Sequence, residues 1–113
     1  MHEMSLCENI RDIIQAQAAE SGFVRVNRVW LEVGALSCVE PDALRFGFDV
    51  VMRGSVAEGA ALEIATPAAK ARCLACGQVA VVAHRYDPCP ACGAVEMQVT
   101  QGDALKISKL EVV

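Results

Sequence analysis

Two Cys-x-x-Cys pairs, Cys73 with Cys76 and Cys89 with Cys92, close the stretch CLACGQVAVVAHRYDPCPAC, and each pair is followed directly by a glycine, Gly77 or Gly93. Two intervening residues turn the chain far enough for both sulfurs to face one point. The glycine permits the positive-φ backbone that such a turn needs. Two matched knuckles supply four thiolates, the donor set of a closed, tetrahedral structural zinc site. Iron in a rubredoxin-type site would use the same ligands, and a disulfide or a thioredoxin-like redox pair are further readings of the motif. Matched pairs favour a metal over a lone redox pair, and zinc ranks first among the readings. Cys7 and Cys38 lack ligand spacing and read as small buried hydrophobes.

A second constellation sits at the N-terminus, Met-His-Glu. The Nδ1 of His2 lies one small chelate ring from its own backbone nitrogen, and the amide of Glu3 lies one ring further along. With the amides ionised, three nitrogens fall in a plane. The fourth corner is left for the Met1 amine or a carboxylate such as that of Glu3. Square-planar nitrogen and oxygen donors suit Ni(II) or Cu(II) rather than zinc. A bulky second residue blocks removal of the initiator Met, so this register is expected to persist. The competing reading is a solvated N-terminal histidine without a role. His84, between the knuckles, is read as an exposed loop residue ahead of a ligand or pH sensor. Lys70, Arg72 and Arg85 give that segment a mild basic bias, most simply a solvated surface.

These residues need elements to position them. Ser5 and Glu8 have the form of a capping box, and Leu6, Ile10, Ile13, Ile14 and Ala18 follow at helical spacing until Ser21 and Gly22. That reading puts residues 1–4 just ahead of a fixed helix start. From Phe23 to Val33 the pattern alternates, with Val24 and Val26 in one phase, Val29, Leu31 and Val33 in the other, and a bulge at Asn27 and Arg28. A second helix opens near Glu40 with Pro41 in its first turn and Leu44, Phe48 and Val51 on its apolar face. Ala61–Thr66 reads as a strand. Gln78–Ala83 and Val95–Val99 are short strands of a ribbon, and Asp87, Pro88 and Pro90 are turn residues. After Gly102, Leu105 and Ile107, then Leu110 and Val112, alternate with another phase shift.

The fold expected is α+β: a small antiparallel three-stranded sheet with two helices, plus an inserted zinc-ribbon module. Residues 1–66 together with 101–113 form the first domain and residues 67–100 the ribbon. A ribbon of that size buries too little apolar surface to fold unaided, so the metal, contributing on the order of 10–16 kcal/mol in such peptides, must stabilise it. The chain has 113 residues, a net charge of −4 and 4% aromatic residues, with a pI near 5.1. That balance argues against a nucleic-acid surface. With no signal-like start and no apolar run long enough for a bilayer, a soluble cytoplasmic protein with reduced thiols is expected, with no membrane partner.

In combination, MHEMSL, the two CxxC pairs, EVGALSCVEPDALRF and QGDALKISKLEV resemble the HypA/HybF family of hydrogenase maturation nickel chaperones over essentially the whole chain. The resemblance implies a nickel site made from the imidazole of His2 with the backbone nitrogens of His2 and Glu3. It also implies an acidic residue at the head of the second helix, here Glu40, for which a carboxylate favoured by a helix N-terminus is the competing reading. Zinc ligands carry over as Cys73, Cys76, Cys89 and Cys92. The implied role is not enzymatic: transient Ni(II) cargo goes to the [NiFe]-hydrogenase large subunit precursor, with a HypB-type GTPase as partner. A homodimer is compatible with the short connections to the ribbon. The alternative from another class is a zinc-ribbon module for protein interaction or nucleic-acid binding, which would want a basic, aromatic-bearing face.

Overall fold

In the computed structural model, which describes residues 3–113, helix α1 (Glu3–Ser21) already contains Glu3 and Met4. Ser5 is therefore inside the helix and exposed, not at its N-cap, and Glu3 and Met4 do not precede the helix as the capping box implied. A serine within a helix costs only a few tenths of a kcal/mol, about 0.5 at most, so nothing forces a start at Ser5. Glu3 lies where the helix dipole favours a carboxylate. Met1 and His2 lie outside the described residues. The buried stripe of α1 is Cys7, Ile10, Ile14 and Ala18, spaced i, i+3, i+7 and i+11 along one face, whereas Ile13 is 52% exposed. The helix ends where the Gly22 amide donates to the Ala18 carbonyl at 2.9 Å.

Strand β1 (Val26–Val33) buries Val26, Val29, Leu31 and Val33 and exposes both Asn27 and Arg28, so the change of phase falls at the two residues where the sequence pattern breaks. Val24 lies outside the strand and is exposed, contrary to its expected pairing with Val26. Helix α2 (Pro41–Val51) is capped by Glu40, whose Oε1 accepts the Asp42 amide at 3.2 Å. Pro41 takes the first helical position, where a missing N–H costs nothing. The helix buries Leu44, Gly47 and Phe48. After β2 (Ala61–Ala65) comes the ribbon, and β6 (Leu105–Val112) then completes a three-stranded sheet in the order β2-β1-β6. Ser108 and Lys109 are both exposed between half-buried Ile107 and Leu110, which is the second phase shift.

The ribbon has its own antiparallel sheet, β4-β3-β5, made of β3 (Ala69–Cys73), β4 (Val79–Val82) and β5 (Met97–Gln101). Strand β3 was not anticipated. It alternates perfectly, with Ala69, Ala71 and Cys73 buried and Lys70 and Arg72 exposed, but its inward residues are too small to register as a hydrophobic run. Leu36, Ala69, Ala71 and Val82 form the ribbon core, flanked by Met97 and Val99. The chain divides into two compact units: one comprises the chain up to Leu31 with Val39–Ile64 and Ile107–Val113, the other Glu32–Cys38 with Ala65–Lys106. Within the second, backbone meets backbone. Leu36 donates to the Gly102 carbonyl at 2.8 Å and Gly34 to that of Ala104 at 2.9 Å. A Cβ on Gly34 would overlap the carbonyl of Gly102, and one on Gly102 would sit 2.5 Å from the Cα of Ala69.

Candidate metal centre

The two knuckles are copies of one local construction. Gly77 donates to the Cys73 carbonyl and Gly93 to that of Cys89, each at 2.8 Å, and both glycines have positive φ, 77° and 75°. The first cysteine of each pair is also pinned by its own amide, Cys73 to the Gln78 carbonyl and Cys89 to that of Ala94, again at 2.8 Å. Cys73 and Cys89 are buried, whereas Cys76 and Cys92 are exposed on the turns.

The result is a cluster of four Sγ atoms, all within 4.8 Å of one another. Cys73 and Cys92 are 3.6 Å apart and Cys76 and Cys89 3.8 Å, with all four cysteines free rather than disulfide-bonded. A tetrahedral ion with metal–sulfur bonds of about 2.3 Å has sulfur–sulfur edges of about 3.8 Å, so the cluster fits zinc binding. Its electrostatics also call for a cation. The amide of Cys76, beside Cys73, pulls that thiol down to about 7. The Cys92 amide likewise lowers Cys89. At Cys92 the Ala94 amide pulls downward, but the hydrogen bond to Cys73, burial, and the Cys76 and Cys89 sulfurs prevail and push the thiol up to about 12. Four negative sulfurs at this spacing repel one another unless an ion holds them, so binding a metal here releases protons.

Among the described residues these cysteines are the only group of three or more His, Cys, Asp or Glu side chains placed to hold a metal. His84 is outside it. Its side chain is exposed, with Nδ1 3.4 Å from Asp87 Oδ1, while Asp87 Oδ2 accepts the Ala83 and His84 amides at 2.9 and 3.0 Å and closes the loop between the knuckles. Those amides, His84's first, hold the Asp87 carboxyl below its usual range. Cys7 is fully buried as expected, its thiol directed at the Leu44 carbonyl at 3.6 Å, and burial pushes that thiol up. Cys38 is exposed, not buried, and carries a left-handed φ of 61°.

His2 lies outside the described residues, so the N-terminal constellation is represented by Glu3 in the first turn of α1. What fixes that turn is Gly47 of α2. A Cβ there would lie 3.1 Å from Met4 Sδ, 3.2 Å from Cys7 Sγ and 4.0 Å from the Glu3 carbonyl, so the absence of a side chain lets α1 settle onto α2. The apolar face read from the sequence, Leu44, Phe48 and Val51, does not include Gly47. A glycine inside a strongly helical pattern was the available signal. Glu40 serves as the α2 cap described above, the reading that competed with ligation.

Comparison with known proteins adds to this geometry. The family model described as "Hydrogenase/urease nickel incorporation, metallochaperone, hypA" matches residues 1–112. Proteins named Hydrogenase maturation factor HypA are similar along almost their entire length: that of Acidithiobacillus ferrooxidans is 53% identical over 99% of both chains, and that of Azotobacter chroococcum 51% identical over the same shares. The solution structure of the Ni metallochaperone HypA from Helicobacter pylori has the same fold, with a TM-score of 0.79 at 23% identity over 100% of this chain and 98% of that one. This chain therefore belongs to the HypA family of nickel-incorporating metallochaperones of hydrogenase maturation, and it is not an enzyme.

Proposed function

We propose that this chain carries Ni(II) to the [NiFe]-hydrogenase large subunit precursor in the cytoplasm, acting with a HypB-type GTPase, and that its four-cysteine centre holds a permanent zinc ion. The observation that carries the nickel assignment is the Met1-His2-Glu3 sequence in a chain of which residues 1–112 match a nickel-incorporation family. The cargo is taken by the imidazole of His2 and the backbone nitrogens of His2 and Glu3. Glu3 lies in the first turn of α1, where amides have no intrahelical acceptor, so its ligation breaks no helix bond. Gly47 holds that turn against α2 and so lowers the entropy cost of assembling the ligands. Amide ligation depends on deprotonation and is reversible by protonation, as a carrier requires. Glu40 caps α2 through Oε1, and its carboxylate is the candidate for a further nickel contact.

Cys73, Cys76, Cys89 and Cys92 are the zinc ligands in this reading. Zinc supplies a closed, redox-inert tetrahedral link between the knuckles, and the chain supplies the pinned backbone and paired turns that present the sulfurs. In this division the ribbon is scaffold and docking surface, residues 67–100 forming the inserted module, while residues 1–66 with 101–113 carry the cargo.

The deciding experiment is a nickel titration of the untagged chain against one extended by a few residues before Met1, with zinc content measured in both. One zinc per chain in each, with nickel binding lost from the extended chain and from His2→Ala, is the expected result. Nickel bound equally well by the extended protein would overturn the N-terminal site. Zinc lost on His2→Ala would overturn the separation of the two centres.

A further inference from the structure

The solvent face of the ribbon sheet carries two cations, Lys70 and Arg72, with no ion-pair partner among the described residues. Alternation on β3 turns Ala69, Ala71 and Cys73 inward and leaves Lys70 and Arg72 exposed. The register sets Val81 beside Lys70 and Val79 beside Arg72, with Gln98 on the other flank of Arg72. Val79 and Val81 are 50% and 65% exposed, while their neighbour Val82 is buried, so the two valines stand on the same outer face as the cations. Arg85, the third cation of the segment, is 3.9 Å from Asp103. Lys70 and Arg72 make no ion pair among the described residues.

A lysine on a sheet surface is often an edge guard, placed to discourage pairing with other strands. That explanation does not apply, because β3 is the central strand and its hydrogen bonds are taken on both sides by β4 and β5. Here two cations and two valines form a compact mixed patch on a molecule of net charge −4. Side chains two residues apart on a strand are separated by about 6.6–6.8 Å, which is also the spacing of carboxylates two residues apart on an extended partner. The guanidinium fork of Arg72 suits one carboxylate bidentately, and Lys70 supplies a point charge for the next. The methylene stems of the two acidic side chains, which share one face of the extended partner, would lie against Val79 and Val81.

We infer that this face docks an acidic protein segment in extended conformation, with two carboxylates two residues apart. Nucleic acid fits less well: the face offers two cations and no aromatic platform on which bases could stack.

The test uses the full-length, metal-loaded chain labelled for amide NMR. The probe is a blocked heptapeptide with glutamates at its third and fifth positions and valines between and beside them. Its counterpart carries lysine in place of both glutamates, and a short oligouridine tests the nucleic-acid alternative. Shifts confined to Lys70, Arg72, Val79, Val81 and Gln98, weakening with added salt, are the expected result. The pair Lys70→Thr and Arg72→Thr keeps a good strand former at exposed positions, so the sheet persists, and should weaken binding about tenfold. The pair Lys70→Glu and Arg72→Glu should transfer preference to the lysine peptide. A silent face, binding unchanged in the threonine variant, or equal response to both peptides would overturn the proposal. Tighter binding of oligouridine on this face would overturn it in favour of nucleic acid.

Discussion

Cys38 sits at a φ of 61°, the only non-glycine residue with positive φ among those described. A Cβ in that region costs roughly 1–2 kcal/mol, and a weak thiol contact to the Leu36 carbonyl at 3.8 Å does little to offset it. Cys38→Gly should therefore stabilise the protein by roughly 0.5–1 kcal/mol after allowing for the freer unfolded chain. A urea midpoint that fell would refute the strain argument, and zinc content should not move. Cys76→Ser is the opposite case. It removes one donor of a four-thiol set whose partner sulfur, on Cys89, lies 3.8 Å away, so the remaining three thiols should hold zinc at least about tenfold more weakly. Competition with a colorimetric chelator reads this directly, and unchanged affinity would remove Cys76 from the site. The different fates of these two cysteines were only partly legible. Ligand spacing is local, so the knuckles can be read from four residues. Cys38 follows Leu36, which packs with Ala69 and Ala71 some thirty positions away, and no local pattern announces its positive φ.

Elements were easiest to read where one face is apolar and the turn chemistry is explicit, as in α2, with its Glu40 cap, Pro41 start and Leu44 and Phe48 face. They were hardest where packing depends on the absence of side chains. Strand β3 is hard to read because its inward residues are two alanines and a cysteine, and the stripe of α1, read correctly at Ile10, Ile14 and Ala18, differs in its first turn, where Cys7 and not Leu6 faces the core. Both errors share a cause, since small residues let backbones approach closely without raising the hydrophobic signal. Gly47 is the strongest instance. With Met4 Sδ and Cys7 Sγ 3.1 and 3.2 Å from its missing Cβ, Gly47→Val should push the first turn of α1 off α2 and destabilise the protein by about 1–3 kcal/mol, despite valine's better helix propensity. Nickel affinity should fall in parallel while zinc content stays constant, as titration and metal analysis would show. A variant with unaltered nickel binding would mean that the turn's placement is irrelevant to the cargo. Gly102→Ala should be worse tolerated, at about 2–4 kcal/mol. Its Cβ meets backbone at Ala69 rather than a movable side chain, and the residue's φ of 84° disfavours any Cβ.

At the scale of the whole molecule, the two compact units rest on different kinds of stabilisation. The first buries Ile10, Ile14, Val26, Val29, Leu31, Leu44, Phe48 and Met52, large side chains from two helices and a sheet. The second buries only Val33, Leu36 and Val82 with two alanines and the knuckle cysteines Cys73 and Cys89, helped by half-buried Met97 and Val99, a core too small by itself to offset the ordering of its chain. In the proposed reading a four-thiolate ion would supply the difference, at an apparent 10–16 kcal/mol in order of magnitude. Since α1 and α2 both belong to the first unit, removing the metal should leave helical far-UV ellipticity essentially intact. The amides of Ala71, Val82 and Val99 should meanwhile lose hydrogen-exchange protection, and the four knuckle cysteines should become reactive toward a thiol reagent. Restoring zinc should reverse both changes. Helices that melted at the same chelator concentration as the ribbon would show that the metal stabilises the chain as one cooperative body. A ribbon that kept its protection after zinc removal would show that its small core suffices, and the metal would then need a role other than stability.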